Sequence, residues 1–131
     1  MTVEEIIENI RSIYQALEKG NLEYLLDFFS DDAVLMWGPF RFEGKMEIEK
    51  WAKKILGLFL SFHVINKGFN VSENRVYHEF AIEVVTLNMK RGLMPASGIY
   101  DFESGMFKRF EINPRDSVLF VDSRLFNSLR L

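Results

Sequence analysis

Gly20 to Trp37, GNLEYLLDFFSDDAVLMW, is the stretch whose reading decides the fold, because a short apolar helix stops there and passes into a strand. Asn21 can accept from free amides at a helix start, and Leu22, Leu25, Leu26 and Phe29 recur at the spacing of one buried helical face. Ser30-Asp31-Asp32 offers turn chemistry that ends the helix, and Ala33 to Trp37 then reads as a strand. Upstream, Gly20 follows Lys19 as the natural C-terminal cap of an earlier helix. That helix starts at Thr2, whose spacing to Glu5 forms a capping box, and it carries Ile6, Ile7, Ile10, Ile13, Tyr14 and Leu17 on one side. The sequence therefore predicts a helical hairpin handed directly to a sheet.

Downstream, Gly38-Pro39 is a turn, Phe40 to Phe42 a short return strand, and Gly44 a break. A third helix is predicted from about Lys45 to Phe59, with Ile48, Trp51, Ala52, Ile55 and Phe59 on one face and Glu49 paired with Lys53 outside it. Four apolar, β-rich segments follow: Phe62 to Val71, Arg75 to about Lys90, roughly Gly98 to Ile112, and Ser117 to Phe126. SENR and NPRD are the tightest turns between them. The Arg75 segment is about three times the usual strand length, so a bent sheet is expected, wrapped around the helices. Of its two alternating sets, Val76, His78, Phe80, Ile82, Val84 and Thr86 carry no carboxylate and are assigned to the concave face.

A 131-residue chain with 48% apolar residues and thirteen Phe has ample material for one core, so residues 1–131 read as one domain. The net charge is -3, and the cations fall in short separated pairs such as Lys53-Lys54, Lys90-Arg91 and Lys108-Arg109. Nucleic acid and membrane are accordingly not expected as partners. With no Cys there is no disulfide framework, thiol nucleophile or thiolate metal site. The opening TVEEIIENI is acidic and no apolar run reaches the ~20 residues of a membrane span, which predicts a cytoplasmic protein. No phosphate loop, nucleophile elbow or nucleotide fingerprint occurs, so no cofactor is expected.

Order of elements and motifs together resemble the NTF2-like superfamily, the α+β cones that include SnoaL-like polyketide cyclases, ketosteroid isomerases and limonene-epoxide hydrolases. ALEKGNLEYLLDFFSDDAVL is similar to the family's helix, Gly-Asp-Leu, helix, Phe-x-Asp-Asp-Ala pattern. FEGKMEIEKW, LMPASG, KRFE and DSRLF resemble later landmarks. The resemblance implies a cone-shaped, curved antiparallel sheet around three helices, with a pocket inside. It also implies where chemistry would sit. Isomerase-type members keep a carboxylate base at or beside the position of Trp37, a protonated Asp near Met106 and a Tyr donor where Ile13 aligns, so the ketosteroid-isomerase set is missing. Cyclase-like members place an Asp on the last strand; Arg124 takes that position here, with Asp122 two residues earlier on the same face, alongside Val118, Phe120 and Phe126.

Each candidate has a structural alternative. Asp122 beside Arg124 is either a pocket acid or base tuned by an adjacent cation, or an ion pair at the barrel rim. His78 and the weaker candidate His63 are either proton-transfer groups or hydrogen-bonded structural histidines. Two separated histidines without Cys give no metal spacing. Trp37 and Tyr14, backed by Phe59, Phe80, Ile82, Met106 and Phe120, either wall a pocket for a flat apolar ligand or form core. Asp31-Asp32 is read as capping chemistry.

Two functions follow. In the first, the cone encloses a small apolar or mixed-polarity molecule; a secondary version of it adds isomerisation, cyclisation or hydration by proton transfer through Asp122 or His78, with Arg124 stabilising negative charge. In the second, a filled cone serves a non-catalytic binding or association module. Leu119, Val121 and Leu125 make the last strand apolar on both sides, and a homodimer through the outer sheet face would cover them.

Overall fold

The computed structural model describes residues 1–115. Helix α1 (Val3–Lys19) starts on Thr2, whose hydroxyl accepts from the Glu5 amide at 3.1 Å, and ends on Gly20 in the left-handed region at φ 73. Asn21 caps α2 (Leu22–Leu26) through the Tyr24 amide. Strand β1 (Phe29–Trp37) follows, then β2 (Phe40–Glu43), α3 (Gly44–Leu58), β3 (Phe59–Ser72), β4 (Arg75–Thr86), β5 (Arg91–Glu103) and β6 (Met106–Pro114). The strands form one curved, unclosed sheet in the order β2-β1-β6-β5-β4-β3. Three helices and this sheet make the α+β architecture that the sequence predicts.

The sheet is mixed, because β6 returns to lie parallel to β1 while every other pairing is antiparallel. Three expected boundaries are corrected. Asp31 and Asp32 lie inside β1, exposed, where the register against β6 shifts between Phe29 and Val34; an irregular strand absorbs the polar pair, and Lys45 reaches Asp31 at 3.5 Å. Gly98 to Ile112 is a hairpin, broken at Ser104-Gly105 with both residues at positive φ. Arg75 to Lys90 ends as a strand at Thr86, whose hydroxyl and carbonyl close the turn on Lys90 and Met89. The SENR turn joins β3 to β4, as expected. The Ser117 to Phe126 strand lies outside the described residues.

The alternation of β4 holds from Val76 to Val84 except at Ala81, which is buried although it belongs to the opposite set, and Thr86 is half-buried. Val76, His78, Phe80, Ile82 and Val84 are buried, while Tyr77, Glu79 and Glu83 are exposed. They close on the buried face of α1, led by Ile10, Tyr14 and Leu17, and on Trp51 and Ile55 of α3. Trp51 packs against Trp37 with centroids 5.9 Å apart and planes tilted by 49°, so the end of β1 is packed against the third helix.

Candidate functional site

His78 sits in the middle of the concave face, opposite Gly98 on β5 and Phe69 on β3. Its imidazole is sandwiched between Phe69, with centroids 4.2 Å apart and planes 8° from parallel, and Phe80, at 4.4 Å and 20°. Only 1% of the residue is accessible. Burying a polar ring this deeply requires that both nitrogens find partners. Nδ1 lies 2.8 Å from the Tyr100 hydroxyl and Nε2 lies 2.8 Å from Asn66 Oδ1. The Tyr100 hydroxyl in turn lies 2.6 Å from that of Tyr14 on α1.

The donors follow from this geometry. Asn66 Oδ1 can only accept, so Nε2 carries the proton, Nδ1 accepts from Tyr100, and Tyr100 accepts from Tyr14. A neutral chain of four groups therefore crosses the interior from Asn66 at the surface to Tyr14. Burial, and then the charge of Arg11, push the His78 pKa down to about 3, which keeps the imidazole neutral. Burial raises both phenols; for Tyr14 the bond to Tyr100 partly offsets it, whereas for Tyr100 its neighbour Tyr14 adds to it.

Tyr100 reaches His78 because of Gly98. The two residues share a face of β5, and the tyrosine ring folds back over the glycine; a Cβ at Gly98 would fall inside the van der Waals envelope of the Tyr100 ring and hydroxyl. The ring then stacks on Phe110 at 3.9 Å and 14°. Glycine is needed here for space, which lets one strand present a tyrosine hydroxyl directly across from the histidine of the next.

The sequence candidates divide into three groups. Tyr14, Trp37, His78, Phe80 and Ile82 gather in the interior with accessibilities of 0–3%, and Phe59 is close behind at 5%. A void wide enough for water would give accessible surface to the side chains around it, so the cone is packed at these residues. His63 and Met106 lie elsewhere. The His63 side chain is 58% exposed, 3.2 Å from Glu18, and Met106 begins β6 beside the β5–β6 turn. Asp122, Arg124 and Phe120 lie outside the described residues. Asn66, Gly98 and Tyr100 were not singled out in the sequence; the Gly-x-Tyr spacing within a strand is the signal that could have found two of them.

No carboxylate enters the four-group chain. Its one imidazole has both nitrogens occupied, so the arrangement fixes hydrogen-bond direction and offers no free general base. Among the described residues no three His, Cys, Asp or Glu side chains group as metal ligands. Two open grooves, of about 430 and 550 Å³, flank the β3–β4 and β5–β6 turns; neither is lined by Tyr14, Tyr100, His78 or Asn66. No described helix is long and apolar enough to cross a membrane.

Neither a family model nor a curated protein matches this sequence. Solved structures do match it. An NTF2-like protein of unknown function from Burkholderia pseudomallei superposes over the whole of both chains with a TM-score of 0.80 at 14% identity. A protein with a ketosteroid isomerase-like fold from Catenulispora acidiphila, solved with trimethylamine, covers 80% of this chain and 83% of its own, with a TM-score of 0.75 at 13% identity. A SnoaL-like polyketide cyclase structure from Jannaschia sp. CCS1 covers 86% of each chain, with a TM-score of 0.76 at 9% identity. Sequence identities this low carry the architecture and not the activity, and the architecture of this chain is the NTF2-like fold.

Proposed function

We propose that this protein is a non-catalytic NTF2-like association domain whose cone is filled by its own side chains. The observation that carries the proposal is the near-zero accessibility of Tyr14, Trp37, His78, Phe80 and Ile82, the residues that would wall a ligand pocket. A packed interior leaves the outer sheet face as the working surface. There Ile65 and Pro95 are exposed on β3 and β5 on either side of the buried Ala81, with Leu93 57% and Tyr77 46% exposed nearby. A second copy of the chain meeting this face would bury it in an isologous dimer. The test is sedimentation at micromolar concentration. A mass of two chains, reduced to one by Ile65→Lys with Leu93→Lys, supports the dimer, and a mass of one chain for the unaltered protein overturns it.

One observation favours a second function, a small-molecule binder with proton transfer at the last strand. A buried polar chain such as Tyr14–Tyr100–His78–Asn66 is costly to maintain unless it is fully satisfied, and sites that handle ligands retain such chains. In that case Asp122 and Arg124 would complete the site. A thermal-shift screen with steroid, terpene and polyketide-like compounds separates the two. The filled cone predicts no stabilisation by any of them. A shift of several degrees that Asp122→Asn or His78→Gln removes would establish the binder instead.

A further inference from the structure

Two of the short cation pairs that look scattered in the sequence, Lys53-Lys54 and Lys90-Arg91, are brought to one end by the fold, whereas Lys108-Arg109 lies on β6, paired with Glu103 and Glu111. Residues 50–72 and 84–100 contain no Asp or Glu and carry six Lys or Arg, in a chain whose net charge is -3. These two segments meet at one end of the molecule. Helix α3 runs without a gap into β3, Phe59 pairs with Thr86, and the β4–β5 turn from Leu87 to Lys90 projects beyond that rung. Lys54 near the end of α3, Lys90 and Arg91 therefore share one end, while Lys53 there is held by Glu49 at 3.0 Å.

The same end exposes large aliphatic side chains. Met89, at positive φ on the turn, is 73% exposed, Leu87 62%, and Leu60 at the start of β3 56%. Leu87 and Met89 stand exposed on a turn that continues into the exposed Lys90 and Arg91, which makes the feature a projecting wedge and not a groove. A wedge of this kind matches a soft surface that admits apolar side chains and is itself negatively charged. Nucleic acid would use the cations and leave Leu60, Leu87 and Met89 in water.

We propose that this end of the protein docks on anionic lipid bilayers, with Leu87 and Met89 entering the headgroup region and Lys54, Lys90 and Arg91 above it. The attachment is peripheral: two or three aliphatic side chains and three cations give reversible binding that depends on lipid charge and salt. It uses the turn end of β4 and β5, so it is independent of whether the cone is filled.

The test is co-sedimentation of the full chain with vesicles of phosphatidylcholine alone and of phosphatidylcholine mixed with phosphatidylglycerol. Binding to the mixed vesicles only, lost in about 0.5 M salt, is expected. Each cation contributes about fivefold, so Lys90→Ala with Arg91→Ala should weaken binding about 25-fold. Leu87→Ser with Met89→Ser should weaken it at unchanged salt dependence, and Met46→Ser, at the opposite end of α3, should leave it alone. Trp37 and Trp51 are buried, so in Met89→Trp a blue shift of emission on mixed vesicles reports insertion at the turn itself. Absence of vesicle binding, or binding that Leu87→Ser with Met89→Ser does not weaken, overturns the proposal. So does binding to a DNA duplex in place of vesicles, or a self-association that the same two serines abolish.

Discussion

On one side of β4, Val76, His78, Phe80, Ile82 and Val84 are buried, and the one polar ring among them is neutral and hydrogen-bonded at both nitrogens. On the other side the sheet carries charges in pairs. Arg75 holds Asp101 through two bonds of 2.6 and 2.9 Å, Arg109 holds Glu111 at 2.6 Å, and Arg115 meets Glu79. The same strand thus shows two ways of handling polarity. Inside, the imidazole of His78 has both nitrogens matched, and each of those bonds is expensive to break. Outside, water stands ready to replace any partner, so ion pairs of good geometry contribute little.

The sharpest challenge to this contrast is pH. His78 has a folded pKa of about 3 against 6.5 when unfolded, so between those values the unfolded chain binds a proton that the folded chain does not. Stability should be full above pH 6.5 and decline as pH falls towards 3, by up to about 5 kcal/mol from this residue. Denaturant titrations across that range should show a steeper loss for the unaltered protein than for His78→Gln; parallel curves would show that the imidazole is not buried as described. Next in size, Gly98→Ala drives a methyl into the Tyr100 ring, and Tyr100→Phe leaves Nδ1 of His78 without a donor. Either should cost about 3 kcal/mol in chemical denaturation.

At helix α1, Thr2→Ala removes the bond to the Glu5 amide and should cost about 1 kcal/mol. The smallest effect belongs to the outer surface. Lys53→Gln breaks a pair with Glu49 in which the lysine is 65% and the glutamate 41% exposed, and stability should change by less than about 0.5 kcal/mol. An outer-surface loss as large as that of Tyr100→Phe would erase the distinction between the two faces.

Signals local to a few residues were legible in the sequence, and those that depend on strand pairing were not. The Thr2 cap, the Gly20 corner, the Asn21 cap and the concave set of β4 all follow from spacing within one element, and all appear in the structure. Ser104-Gly105 is also a local turn signal, set inside a segment whose apolar residues on either side read as one β-rich stretch. The partners of His78 are of another kind. Asn66 follows Phe62 and Val64 on the inward alternation of β3, the register shift after it brings Phe69 opposite His78, and Tyr100 reaches the histidine only because Gly98 yields its space. Neither residue looks special alone, since cross-strand register is fixed by the whole sheet. The convergence of Lys54 with Lys90-Arg91 was hidden for the same reason, as helix and turn are brought together by the Phe59 to Thr86 rung.

The Glu18 carboxylate accepts from the Val64 amide at 2.6 Å, and β3 is an outermost strand among the described residues. An unpaired amide there is an invitation for another chain to add a strand, which is how sheets grow into fibres. Glu18 closes that invitation at one rung and brings a negative charge to the edge as well. Helix α1 therefore does more than fill the cone. It supplies a gatekeeper to the sheet's open margin, and loss of that single carboxylate would be felt less in how firmly the protein folds than in how long its solutions stay clear.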